Sequence, residues 1–204
     1  MIDDPRESPD TIGIEGTIKY LGDLGVNLDE VAVLAVLTEL SAPTMGELTR
    51  EAFVAGWKAH NADTLQKQQI VLASLRHSLA TDHSLFKRVY RHTFLLARNS
   101  GQKAVLLETA IEYWRLLLQS PSLSWNTSTT PWLTWWIEYL EAKWKKSVNR
   151  DMWDQTGEFV MKSLADESMS WWSEDGAWPG VLDEFVAFVE AKRGQGGNDA
   201  MEIE

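Results

Sequence analysis

The chain has 204 residues, a net charge of −11, 44% apolar residues, 11 tryptophans and no cysteine. That length supports one sizeable domain or two small subdomains sharing a core. The lack of cysteine excludes disulfides, thiolate zinc sites and any thioester or thiol mechanism. The negative charge argues against nucleic acid or an anionic membrane as a main partner and suits a basic protein surface. No basic and apolar leader opens the sequence, and no apolar run approaches the roughly 18 residues of a membrane span, so a soluble intracellular protein is expected. Asn126-Thr127-Ser128 matches a glycosylation acceptor, which is expected to stay unused without a secretory route.

The periodicity is helical almost throughout. A first helix is expected over 15–24, with Ile14, Ile18 and Leu21 on one side. Asn27 followed by Glu30 resembles a capping box opening the next helix, and Thr44 followed by Glu47 repeats that logic before a helix ending near His60. Further helices fit 63–79, 84–98 and 105–119, and Gly101 after Asn99 reads as a C-cap turn. Residues 120–130, rich in Ser and Thr with a proline, read as a linker. Beyond it, Trp132, Trp136, Leu140 and Trp144 recur at i, i+4 with Leu133 and Ile137 beside them. Asn149 caps a helix running toward Ala165. Pro179 opens the last one, whose apolar stripe is Leu182, Phe185, Val186 and Val189. From Gly194 the sequence is Gly-rich and acidic and is expected to be disordered. No strand is evident, and the fold class is all-α.

Several constellations carry two readings. Residues 31–37 (VAVLAVL) are apolar on every side, so their helix must bury all round. Either it is a central core helix, or one face meets the core and the other lines a groove for an apolar peptide. His60, His77, His83 and His92 lack metal-ligand spacing. Around Gly13 the sequence resembles a helix–loop–helix calcium loop, but Ser8, Ile12 and Lys19 stand at its first, fifth and twelfth positions, where calcium requires oxygen ligands and a final bidentate glutamate. Asp151 and Asp183 lie in the first turns of two helices, where carboxylates complement the helix dipole. They also read as the flanks of a surface patch around Ala177, a residue too small to obstruct a partner. A hydrolase using Glu174 and Asp175 lacks a partnered base or nucleophile. A helical EF-hand-like regulator that binds peptide, with no ligase role, remains the alternative.

Taken together, IGIEG (12–16), ARNSGQK (97–103), AIEYW (110–114), RDMW (150–153) and EDGAWP…DEF (174–185) resemble the potentiating-neddylation domain of the defective-in-cullin-neddylation proteins. The resemblance covers about residues 4–192 and suggests a fungal-like member without the ubiquitin-associated module that precedes this domain in relatives. It implies two EF-hand-like helical subdomains packed together without functional calcium sites: an N-terminal half over 1–119, a C-terminal half over 120–193 and an acidic tail over 194–204.

The resemblance also implies a non-catalytic scaffold for cullin neddylation, working without a cofactor or metal in the cytoplasm and nucleus. Its cullin contact, to the C-terminal winged-helix region, falls on Asp151, Ala177 and Asp183. A groove for the acetylated N-terminal methionine of the NEDD8-conjugating enzyme falls on Ile14, Val33, Val36, Leu37, Leu40, Leu48, Leu96, Tyr113 and Leu116. The RING subunit is a further expected partner; nucleic acid and membrane are not.

Overall fold

The computed structural model describes residues 8–173 and 175–199. It is mostly helical: α1 (Ile14–Leu24), α2 (Ala32–Glu39), α3 (Arg50–Ala59), α4 (Leu65–Thr81), α5 (His83–Ala97), α6 (Leu107–Leu117), α7 (Trp132–Tyr139), α8 (Arg150–Ala165) and α9 (Gly180–Asp199). The all-α class holds, and among the described residues four two-residue strands add two small ladders to it: β1 (Thr11–Ile12) pairs antiparallel with β2 (Leu48–Thr49), and β3 (Ala104–Val105) with β4 (Val148–Asn149). Such ladders are too short to leave a period-2 pattern in sequence. Each joins the loops leading into two helices, α1 with α3 and α6 with α8, so that helix–loop–helix units stand in pairs. The second ladder ties 104–105 to 148–149 and so crosses the expected division at residue 119.

Local signals placed most helix bodies but misplaced two starts. Glu30 does return its carboxylate to the Asn27 N–H at 3.2 Å, but a turn intervenes and α2 begins only at Ala32. Thr44 pairs with Glu47 in an isolated bridge, and the cap of α3 is Thr49, whose hydroxyl accepts the Ala52 N–H at 3.3 Å. The face of α1 also differs from expectation. Thr17, Leu21 and Leu24 are buried, whereas Ile14 is 65% and Ile18 47% exposed. Gly101 takes the left-handed conformation (φ 76) that its turn requires.

All residues of the 31–37 run are buried, and α2 packs against α4 and α5. The second half has a different core, because all the tryptophans except Trp57 lie at or after Trp114. Trp125, Trp132, Trp136, Phe159 and Phe185 pack at mutual ring distances of about 5–6 Å, largely edge to face. Where α5 meets α6 and α8, Trp153 stacks between Tyr90 (4.9 Å) and Trp114 (5.1 Å). The Tyr90 hydroxyl accepts the Trp114 indole N–H at 2.8 Å and donates to the Trp153 carbonyl at 2.9 Å. Trp153 returns its own indole N–H to the Tyr90 carbonyl at 2.9 Å. Gly157 permits this approach: a Cβ there would lie 2.6 Å from the Tyr90 ring.

The helical stripe Trp132, Trp136, Leu140 is buried as expected, but after Tyr139 the helix widens into a π-turn over Leu140–Trp144, closed by the Lys145 N–H on the Leu140 carbonyl at 3.1 Å. At the C-terminal end, α9 runs to Asp199, within the tail expected from Gly194. Residues 200–204 of that expected tail lie outside the described residues, as does Glu174. Among the described residues no helix is long and apolar enough to cross a membrane.

Candidate functional site

Asp151 owes its position to the start of α8. The Asn149 side chain accepts the Met152 N–H at 2.8 Å, which ends the β4 strand and starts the helix. Asp151 then stands exposed in the first turn, beside Arg150, which pairs with Asp154 at 2.8 Å. Ala177 sits in the turn between α8 and α9. There Trp171, Trp172 and Trp178 gather edge-on around Phe159, at 5.3, 5.7 and 6.3 Å. Gly176 has to be glycine, since a Cβ would meet the Trp178 ring at 2.7 Å and the Ser173 carbonyl at 2.8 Å. The tryptophans therefore anchor the turn, and Ala177 is left exposed between them.

The base of this turn is capped by Asp166. Its carboxylate accepts the Ser168 and Ser170 hydroxyls at 2.6 and 2.5 Å, and these bonds, with the two backbone amides, hold its pKa down at about 2. The Trp171 indole N–H donates to the Asp166 carbonyl at 3.1 Å. Next to it, Glu167 is lowered below the usual carboxylate range by the hydroxyls of Thr129 and Thr127, which reach back from the long connection before α7.

Asp183 lies in the first turn of α9, where the Leu182 N–H bonds the Pro179 carbonyl at 2.8 Å. It is half-buried, and its Oδ1 is buried without a hydrogen-bond partner among the described residues. A carboxylate oxygen withdrawn from water and unpaired is costly on its own account. Glu184 beside it accepts the Tyr139 hydroxyl at 2.8 Å; burial first, then that carboxylate, push the tyrosine pKa up. The Ala177 turn and the Asp183 helix thus share one support, since Trp178 and Phe185 both pack on Phe159 of α8. Asp151 stands two turns before Phe159 on that helix, about 12 Å along its axis.

The apolar set is distributed differently. Val33, Val36, Leu37, Leu40, Leu48 and Leu96 are all at most 5% exposed and belong to the core around α2. Tyr113 and Leu116 are half-buried on α6, and burial raises the Tyr113 pKa. Ile14 lies over Gly46, against the position its Cβ would occupy. Nothing in the sequence pattern points to Thr17, one turn after Ile14, which is 1% exposed with a hydroxyl that has no partner among the described residues. The apolar spacing of Ile14, Ile18 and Leu21 had pointed to a neighbouring face.

Two of the four histidines, His60 and His92, serve the scaffold. His60 bonds the Glu39 carboxylate at 2.8 Å, and His92 lies 3.1 Å from the Thr38 hydroxyl with its pKa lowered by burial. Burial alone would raise the Glu39 pKa, but Arg88 and His60 outweigh it and the net shift is downward. Among the described residues no cluster of three or more such side chains could hold a metal.

A family model described as "Cullin binding" matches residues 66–188. The chain is 38% identical over 213 residues to "Defective in cullin neddylation protein 1" of Pyricularia oryzae, covering 99% of this chain and 75% of that protein. It is 38% identical to the protein of the same name from Yarrowia lipolytica, over 89% of this chain and 72% of the relative. To human "DCN1-like protein 5" it is 33% identical, over 90% of this chain and 73% of the relative.

Proposed function

The chain belongs to the cullin-binding family of the defective-in-cullin-neddylation proteins and has a non-catalytic part in cullin neddylation; from that footing we propose that it docks a cullin on Asp151, Ala177 and Asp183 while holding the conjugating enzyme that carries the modifier. What supports the cullin docking is the state of Asp183, a half-buried carboxylate with one unpaired oxygen at a helix start. A basic partner supplies the hydrogen bond that this oxygen lacks. Exposed Ala177 leaves room for that approach, and Asp151 extends the same negative sign along α8. Helix-dipole complementarity holds at the same time, since a carboxylate at a helix start can still face outward.

Without a cysteine the chain cannot carry the modifier as a thioester. The thioester belongs to the conjugating enzyme and the attacking amine to a cullin lysine. As the isopeptide bond forms, the thiolate leaves on the enzyme. The scaffold restricts the two partners to one orientation, making their encounter close to intramolecular. Carboxylates steer the basic cullin surface and set its register. On the enzyme side, the acetylated N-terminal methionine is the expected occupant of the region near Ile14, Leu40, Tyr113 and Leu116, since acetylation removes a charge that would otherwise be buried. Burying that side chain contributes about 1.5–3 kcal/mol.

Single-turnover transfer from the charged conjugating enzyme to a cullin C-terminal domain tests this. The wild-type chain accelerates the step, and Asp183→Ala weakens cullin binding by about tenfold while far-UV circular dichroism stays unchanged. Full acceleration by Asp183→Ala, or loss of helicity in it, counts against the patch.

A further inference from the structure

The two ladders pair four loops, and three of these are entered by a helix: α2 leads into β2, α5 into β3, and α7 with its π-turn into β4. Among the described residues no helix leads into β1. In the complete pair, α5 packs on both α6 and α8. The matching helix before β1 would pack on α1 and α3, so the fold offers one helical seat more than it fills.

α3 and α8 match residue for residue. Thr49 and Asn149 are their caps, Arg50 and Arg150 follow, and position 53 answers to 153 and so on along both helices. α8 meets α5 through Trp153, Asp154, Gly157, Glu158 and Met161. Gly157 admits the Tyr90 ring, and Glu158 pairs with Lys87 and Arg91. On α3 the same five places hold Phe53, Val54, Trp57, Lys58 and Asn61, and all five line an open cleft of about 510 Å³. Val54 is 56% exposed there, and Trp57 is the only buried residue of α3. The floor is already fixed: Phe53 packs edge-on to Tyr20 at 5.1 Å, and the Tyr20 hydroxyl donates to the Gln68 side chain at 3.0 Å. A helix in a folded protein is held mostly by burial of its apolar face, and α3 leaves part of that face in water.

We infer that this face of α3 seats an amphipathic helix of a partner protein, lying as α5 lies on α8. Residues 1–7 are too few to be that helix, since α5 takes 15. The chemistry of the occupant follows from the differences between the two seats. Trp57 fills the room that Gly157 leaves, so a small side chain stands where α5 has Tyr90. An apolar side chain at the place of Phe86 covers Val54. Lys58 replaces Glu158, so acids stand where α5 has Lys87 and Arg91. Apolar burial carries the docking and charge sets only its register, because Lys67 in the same cleft is already held by Asp63 at 2.6 Å. The cleft shares no residue with the carboxylate patch or the apolar set, and the inference does not depend on the cullin reading.

The test is a fluorescence-anisotropy titration of the full chain with a labelled peptide spanning residues 82–98 and altered by Lys87→Glu, Tyr90→Ala and Arg91→Glu. The peptide binds saturably and slows amide exchange in α3. Val54→Asp weakens it about tenfold. That position is exposed, and α8 carries Asp154 at the matching place, so the fold tolerates the change. Lys58→Glu also weakens this peptide, and it strengthens a second one that keeps Lys87 and Arg91. Absence of saturable binding to the wild-type chain overturns the inference, as does affinity that Val54→Asp leaves within about twofold. A charge preference that Lys58→Glu does not move means that the helix does not lie as α5 does, and overturns it too. A wild-type chain that sediments as a dimer, with Val54→Asp monomeric, assigns the face to a second copy and overturns the partner. Failure of the wild-type chain to bind cullin touches only the proposed function.

Discussion

Asn149 is the last residue of β4 and the cap of α8, so one side chain ends a strand and aims the helix that presents Asp151. Asn149→Ala removes the bond to the Met152 N–H and is expected to cost about 1 kcal/mol. Thermal unfolding reads that loss, and cullin affinity falls with it because Asp151 follows two residues later. Asp166 gives the pH counterpart. Its folded pKa of about 2 lies below the ordinary carboxylate value of 3.8, so its contribution is fully present above about pH 4 and is lost as pH falls toward 2. Asp166→Asn is therefore less stable than wild type in urea at neutral pH. The gap between their midpoints closes on acidification through that window; a gap constant down to about pH 2 contradicts the assignment.

Between elements, the contact of α5 with α8 depends on Gly157. Gly157→Ala drives a methyl into the Tyr90 ring, displaces the hydroxyl that links Trp114 to Trp153, and is expected to destabilise by about 1–3 kcal/mol. An unchanged denaturation midpoint shows that the ring yields freely. Which features the sequence disclosed follows from the same physics. The cap at Asn149 and the break at Pro179 are local signals, and the structure keeps them. The Asn27 and Thr44 boxes carry equally good local signals, yet tertiary structure moved the helix starts to Ala32 and Arg50. The two ladders left no trace because two residues make no period. Buried Thr17 was hidden because a polar residue on the core face breaks the apolar spacing that identifies the face. The unpaired Asp183 oxygen depends on what packs over it, which sequence distance does not encode.

At the scale of the whole molecule, one continuous core changes character from end to end. Aliphatic side chains around α2 fill one end, tryptophans fill the other, and Tyr90, Trp114 and Trp153 join the two where α5, α6 and α8 meet. Carboxylates stand at the starts of α8 and α9, and Lys145 and Lys146 are exposed after the π-turn.

That packed and hydrogen-bonded seam sets the spacing between whatever the two halves hold. A bivalent bridge with fixed spacing and no chemistry of its own works only when both partners occupy the same copy. Raising its concentration first speeds transfer and then slows it, as excess copies sequester each partner in separate half-complexes. A dose series carried well above the partner concentrations should therefore trace a bell, whereas a curve that saturates and stays level shows that the two partners do not meet on one molecule.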